Sequence, residues 1–411
     1  MNRQLLLTAV ALALSLPATA QEAETAKEQE AAPSPNQIVE AAPAEEWISI
    51  PAEDLLVMTL APDRDGNERE VIIQLMPAPF SQGWVENIRT LTRANWYDGI
   101  SVNRVQDNYV VQWGDPNYDN PEAEGEAKAL PEGLKVMEER DYLADADSLG
   151  EAAATEIEVV LDETSSEEEQ IAALTAIISE MGLTPEGEMS ESERIAMISI
   201  EGTQTPRAPE GWHERDSFAE WTEFFLGWPV ANRQAMNWED ANGNPVPDPL
   251  LPRHKAREIG IYENVQESYF WPVHCYGMVG VGRGYSPDTG SGAELYTVIG
   301  HAPRHLDRNI ALVGRIISGI EHLSSLPRGS GALGFYTEEE FGKRTPILSV
   351  RVASDLPEAE QPLFEYLSTE GKTFAKYATA RANRRDPFFI HPAGGADICN
   401  IPVPIRPAAN D

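Results

Sequence analysis

The stretch from Trp96 to Pro116 constrains the fold more than any other. It reads Trp-Tyr-Asp-Gly-Ile-Ser-Val-Asn-Arg-Val-Gln-Asp-Asn-Tyr-Val-Val-Gln-Trp-Gly-Asp-Pro. Ser101 to Val105 alternates as a strand does, and Asn108 to Trp113 is rich in β-formers. Gln106-Asp107-Asn108 supplies turn residues between them, so the stretch is expected to form a hairpin. Alternation places Val102, Arg104 and Gln106 on one face, with Arg104 close to Gln112 on the return strand. A guanidinium and an amide side by side, with Tyr109 nearby, can grip a peptide carbonyl. The plainer readings are a surface ion pair for Arg104 and a barrel amide satisfying backbone groups for Gln112.

These residues resemble the signature of the cyclophilin-type peptidyl-prolyl cis-trans isomerases, in which Phe-His-Arg is followed by an aromatic and then Gln-x-Gly-Asp. Val102-Asn103-Arg104, Tyr109 and Gln112-Trp113-Gly114-Asp115 take those places. Upstream, Val85 to Leu91 resembles the family's first helix and Tyr97-Asp98-Gly99 its Tyr-Asp-Gly turn. The resemblance resumes at Trp271. His274-Cys275-Tyr276-Gly277-Met278-Val279-Gly280-Val281-Gly282 is similar to the strand ending Met-Ala-Asn-Ala-Gly, and Gly292 to Tyr296 to Gly-Ser-Gln-Phe-Phe. Leu306-Asp307 is similar to the Leu-Asp-Gly turn, and Ala311 to Ile316 to a further strand.

The resemblance implies a mostly β fold, a closed antiparallel β-barrel capped by two helices, with a large insertion and a C-terminal helical extension. It implies isomerisation of X-Pro bonds in polypeptide clients, with no cofactor. Arg104 and Gln112 take the catalytic positions; Tyr109, Met278, Glu294, Tyr296, His305 and Leu306 take the substrate-binding ones. Several positions depart from the family. Asn103 replaces its His, Val279-Gly280-Val281 its Ala-Asn-Ala, and Glu294 a Gln. His305 stands where many members carry an aromatic, and Ile310 where they carry a pocket His. The alternative is a non-catalytic peptide-binding or chaperone module on the same scaffold.

The remaining chain is expected to divide as follows. Residues 1–20 read as a secretory signal: Arg3, an apolar core from Leu5 to Leu16, and Ala18-Thr19-Ala20 at the cleavage site. The run is too short to span a bilayer, so a periplasmic or secreted location is expected. Residues 21–46 are Glu-, Ala- and Pro-rich and read as a disordered linker. The barrel is expected over 47–119 and 265–356, interrupted by an acidic, partly disordered insertion over 120–264, with an extension over 357–411. Within the barrel, Leu55–Leu60 and Val71–Leu75 read as strands, and Ser81 as the cap of a helix running to Arg93. Gly319–Leu326 reads as the second helix, Ile347–Val352 as the last strand, and Glu358–Arg385 as helical. In the insertion, a helix is expected after Ser165 or Ser166, and the aromatics between Trp212 and Trp228 are expected to cover the barrel.

A net charge of −36 over 411 residues argues against nucleic acid, whose phosphates need clustered Lys and Arg. The only cysteines, Cys275 and Cys399, either pair in an oxidising compartment or remain two buried thiols. Five other patterns lack essential parts. Asp63-Asp65-Asn67 and Asp145 to Glu156 miss calcium ligands. Gly280 to Gly284 misses a phosphate loop's spacing and following helix. His301 and His305 have Pro303 between them, which breaks the helix a metal pair would need. Gly290-Ser291-Gly292 is not a nucleophile elbow.

Overall fold

The computed structural model describes residues 32–117, 125–145, 147–150, 152, 216, 218–219, 221–239 and 262–408. Its first helix, α1 (Pro35–Glu40), lies in the segment expected to be a structureless linker. Local chemistry accounts for the difference. The Ser34 hydroxyl accepts the Gln37 N–H while the Gln37 side chain accepts the Ser34 N–H, and Pro35 sits where a missing N–H costs nothing. Ile38 and Val39 then pack against the core.

The chain continues through β1 (Trp47–Ser49), β2 (Leu55–Leu60) and β3 (Arg69–Leu75). The β2–β3 loop is closed by Asp63, whose Oδ1 accepts the N–H groups of Asp65 and Asn67 at 2.9 Å. The Asp and Asn residues there serve the turn itself. Next comes α2 (Gln82–Arg93), which buries Trp84, Ile88 and Leu91 along one face. Ser81 precedes it with φ of 54° and makes no side-chain cap, contrary to expectation. Its left-handed backbone turns the hydroxyl away from the first free N–H groups. The hairpin follows as β4 (Ser101–Val105) and β5 (Val110–Gly114).

The insertion contributes β6 (Ala144–Asp145), β7 (Trp221–Phe225), β8 (Trp228–Glu239) and the start of β9 (Tyr262–Pro272). These four make a separate sheet in the order β6-β9-β8-β7. Its roots enter the main core through Tyr142, Ala144, Trp228, Val230 and Ala231. Of the aromatic segment, Trp228 is buried, Phe224 and Phe225 pack on the core, and Phe218 and Trp221 stay exposed. Trp212 and the helix expected after Ser165 or Ser166 lie outside the described residues, as does Glu156.

The barrel resumes with β10 (Met278–Val281), β11 (Leu295–Val298), β12 (Leu312–Ser318), the single turn α3 (Glu321–Ser324) and β13 (Ile347–Val352). Its eight antiparallel strands run β13-β2-β3-β12-β10-β11-β5-β4. The ends meet: Val102 N–H donates to Thr345 O at 2.9 Å, and Ile347 N–H to Ile100 O at 2.8 Å. These bonds nearly close the sheet into a barrel and leave little free edge. The second helix is one turn rather than the expected Gly319–Leu326, because Gly319 takes φ of 79° to fit its Cα against the Glu70 carbonyl, and Pro327 follows.

The segment Glu358–Arg385 is not one helix. It forms β14 (Phe364–Leu367), then α4 (Lys372–Ala382), and β15 (Ile405–Pro407) completes the extension. Pro362 and Gly371 bound the aromatic-rich stretch, and β14 gains ladder partners in β1 and β15. Tertiary pairing outweighs local helix preference here. α4 packs against α1. Cys275 and Cys399 form a disulfide that ties the extension to the chain just before β10. Among the described residues, no helix is long and apolar enough to cross a membrane.

Candidate active site

One feature of the β4–β5 ladder sets the site's geometry. Val102 lies opposite Trp113 and Arg104 opposite Gln112, so two steps on β4 match one on β5. This bulge at Asn103 corrects the expected alternation: Val102 and Arg104 point to opposite faces. Val102 enters the core beside Trp113, and Arg104 faces outward with Gln112 and Gln106. The bulged Asn103 is buried, with its amide donating to Gly114 O at 3.1 Å and accepting from the Ser101 hydroxyl at 2.7 Å.

The ladders place four residues in a transverse row. Arg104 is opposite Gln112, Gln112 opposite Tyr296, and Tyr296 opposite Gly280. Arg104 Nη1 donates to Gln112 Oε1 at 3.1 Å, Nε to Leu333 O at 2.7 Å, and Nη2 to Gln106 Oε1. Its guanidinium lies 5.6 Å from the Tyr109 ring centroid and 5.5 Å from that of Phe335. Burial pushes the Arg104 pKa down, partly offset by the Tyr109 and Tyr296 hydroxyls. The charge is therefore held in a partly dry setting, where it acts more strongly on a carbonyl.

Beside the row lies an apolar patch of Val110, Tyr296 and Val298, extended by Tyr109, Leu306 and Ile310. A short 3₁₀ turn, Arg304–Leu306, presents Leu306 to it. His305 is exposed and lies nearly parallel to Tyr109, with ring centroids 6.3 Å apart and planes at 8°. Thus Arg104, Gln112, Tyr109, Tyr296, His305 and Leu306 converge. Met278 does not join them; it belongs to the main barrel core.

Glu294 is buried next to the row. A Cβ on Gly114 would fall 1.9 Å from Glu294 Oε1, so glycine is what admits the carboxylate. Glu294 and Gln112 line a polar pocket with Gly282, Arg283, Asp288 and Ser291. Among the described residues no three His, Cys, Asp or Glu side chains gather as a metal site.

Sequence reasoning missed Phe335 and the Leu333 carbonyl, which reach Arg104 from more than two hundred residues away. No local pattern marks them. It also missed the role of His274, fully buried, whose Nδ1 lies 2.8 Å from Asp307 Oδ1 and Nε2 2.8 Å from the Tyr296 hydroxyl. A histidine within an apolar run was the available signal.

The family model for cyclophilin type peptidyl-prolyl cis-trans isomerases matches residues 68–164, a span that includes Arg104, Tyr109 and Gln112. Over these residues the chain matches a cyclophilin-type domain. The crystal structure of cyclophilin AquaCyp293 from Hirschia baltica is similar to the chain, at 17% identity and a TM-score of 0.48, covering 89% of this chain and 95% of that one. No curated protein matches. Cyclophilin domains bind proline-containing peptides, and the patch around Tyr296 lies within reach of the Arg104–Gln112 pair.

Proposed function

We propose that this chain is an exported peptidyl-prolyl cis-trans isomerase that acts on X-Pro bonds of exported proteins and assists their folding in the cell envelope. The observation that carries the reading is the guanidinium of Arg104, oriented by Leu333 O, Gln106 and Gln112 beside the apolar patch. Those contacts use three of the five N–H groups of an arginine, leaving two for a bound peptide.

The uncatalysed barrier of about 18–20 kcal/mol comes from partial double-bond character in the amide C–N bond. Crossing it requires no nucleophile, proton donor or cofactor, only an environment that favours the twisted amide. In that state the proline nitrogen regains a lone pair. Arg104 would donate toward the proline end of the bond, Gln112 would hold a neighbouring carbonyl, and Tyr109, Tyr296 and Leu306 would bury the ring. Such preorganised donors contribute roughly 3–4 kcal/mol in other enzymes. Export rests on the signal-like first twenty residues and on the pairing of Cys275 with Cys399, which suits an oxidising compartment.

One observation favours the second reading, a peptide-binding module without catalysis. Ile310 occupies the patch where the family resemblance places a histidine, so the wall is more apolar and less able to orient a peptide. Exchange spectroscopy on a short X-Pro peptide separates the two. The isomerase reading expects cis-trans exchange to accelerate with enzyme concentration. Saturable binding with unchanged exchange would assign the chain to the second class.

A further inference from the structure

The row Gly280–Tyr296–Gln112–Arg104 ends on a residue pair that fits together sterically. A Cβ on Gly280 would lie 2.3 Å from the Tyr296 hydroxyl oxygen. The phenol therefore lies across β10, and only glycine at 280 lets it do so. The hydroxyl it carries there meets His274 Nε2 at 2.8 Å, with the two ring planes 6° from parallel. Asp307 holds the far side of the imidazole: its Oδ1 accepts from His274 Nδ1 at 2.8 Å and from the His274 backbone N–H at 3.0 Å. A carboxylate only accepts, so Nδ1 carries the proton, and in the neutral ring Nε2 accepts the Tyr296 O–H.

Behind Asp307 stands Arg304, whose Nε donates to Asp307 Oδ2 at 2.6 Å. Burial alone would raise the Asp307 pKa, but His274 and Arg304 outweigh it and hold the carboxyl below its usual range. Arg304 is itself fixed by Asp216, and Asp397 lies 3.9 Å away. The chain of contacts runs from the interior to the apolar patch and ends on the one patch residue that sits in the row with Arg104 and Gln112.

A phenylalanine at 296 would supply the same apolar face without a hydroxyl to satisfy, and a buried hydroxyl without a partner costs stability. Packing alone therefore does not account for Tyr296, His274, Asp307 and Gly280 occurring together. We propose that His274 and Asp307 are positioning residues for isomerisation, acting through the Tyr296 hydroxyl to hold the phenol as a fixed floor for the proline ring. The inference rests on the isomerase reading above. It also gives a reason for Gly280, the departure from the family's strand that most changes this face: its missing side chain is the space the hydroxyl fills.

The test is a double-mutant cycle on Tyr296→Phe and His274→Leu. Cis-trans exchange of a short X-Pro peptide is followed with increasing peptide, and thermal unfolding is recorded for each variant. His274→Leu in the Tyr296 protein should lower kcat/KM roughly three- to tenfold, mainly through KM. In the Tyr296→Phe protein, where no hydroxyl remains, the same change should lower it no further. His274→Gln keeps a polar group of similar reach and should restore part of the loss; it carries the comparison if His274→Leu does not fold. Equal losses in both backgrounds would show a merely structural histidine and overturn the proposal. So would a folded His274→Leu protein with wild-type KM, or, where only His274→Gln folds, a loss from His274→Gln that is equal in the Tyr296 and Tyr296→Phe backgrounds. A wild type that accelerates no exchange refutes the isomerase reading itself, and this inference falls with it.

Discussion

Arg304 and Asp216, 88 residues apart, meet in the interior with Nη1 2.7 Å from Oδ2 and Nη2 3.2 Å from Oδ1. The same guanidinium reaches Asp307 in the pocket turn and approaches Asp397 in the C-terminal extension. One cation thus links the insertion, the barrel and the extension. In a chain with 67 acidic and 31 basic side chains, buried carboxylates have few cations to choose from, and this site gathers them on one.

Arg304→Met should therefore destabilise by about 3–5 kcal/mol at neutral pH, because it strands buried carboxylates rather than removing a whole ion pair. Burial would lower the Arg304 pKa, yet Asp307 and Asp216 raise it above its usual value, which marks them as the groups that would suffer. At pH 4 the stranded carboxyls can take up protons, so the loss should shrink. Urea unfolding at pH 7 and pH 4 checks this; an equal loss at both would indicate a packing defect instead.

The Cys275–Cys399 disulfide closes a loop with a sequence separation of 124. Removing a cross-link of this span typically costs about 2–4 kcal/mol. Cys399→Ser should lower the unfolding midpoint accordingly. Its effect on the barrel is expected to be smaller than on the extension, because the bonds that join the barrel's end strands, Val102 N–H to Thr345 O and Ile347 N–H to Ile100 O, do not pass through Cys399. Limited proteolysis should show cleavage beyond Ala382 before any within the barrel. Simultaneous loss of both parts would show that the extension and barrel unfold as one unit.

Much of this site was legible because its residues cluster within short stretches of chain. Arg104, Tyr109 and Gln112 lie within nine positions, and a hairpin brings them together whatever the rest of the chain does. The bulge at Asn103 was not legible, because an extra residue in a strand leaves the hydrophobic pattern intact while reversing every side chain beyond it. Phe335, Leu333 and Asp216 reach the site or its support only through closure of the barrel and docking of the insertion. The helical expectation for Glu358–Arg385 failed for a related reason: β1, far upstream, supplies the ladder that makes Phe364–Leu367 a strand. The capping box at Ser34 was written in the sequence, but composition hid it.

Glu223 predicts a pH effect outside the site. Burial pushes its carboxyl up from 4.5 to about 7, against an opposing hydrogen bond from Asn232 Nδ2 at 2.9 Å. Between those two values the unfolded chain releases a proton that the folded chain keeps. Stability therefore falls as pH rises through this window, and the cost, at most about 3 kcal/mol, is fully present above pH 7. Glu223→Gln removes the titration and keeps an acceptor for Asn232. Its melting temperature should exceed the wild type's at pH 8 and converge with it near pH 4. A constant difference across that range would place the effect elsewhere.

The final prediction concerns Arg104. Only an interaction stronger in the twisted amide than in either planar isomer accelerates exchange. The guanidinium is fixed in advance by Leu333 O, Gln106 and Gln112, so it need not reorganise as the bond twists. Arg104→Ala should lose on the order of 10²–10³-fold in catalysed rate, as when other preorganised donors are removed. Arg104→Lys should recover little, because an ammonium keeps the charge but not the planar fork that spans Gln106 and Gln112. Neither change should unfold the barrel, since the side chain faces outward from the β4–β5 ladder and its loss leaves Val102 and Val105 in the core. Exchange spectroscopy with a parallel thermal melt checks both statements. A stable Arg104→Ala protein that matches an active wild type would remove Arg104 from the mechanism and leave the apolar patch as the source of any acceleration.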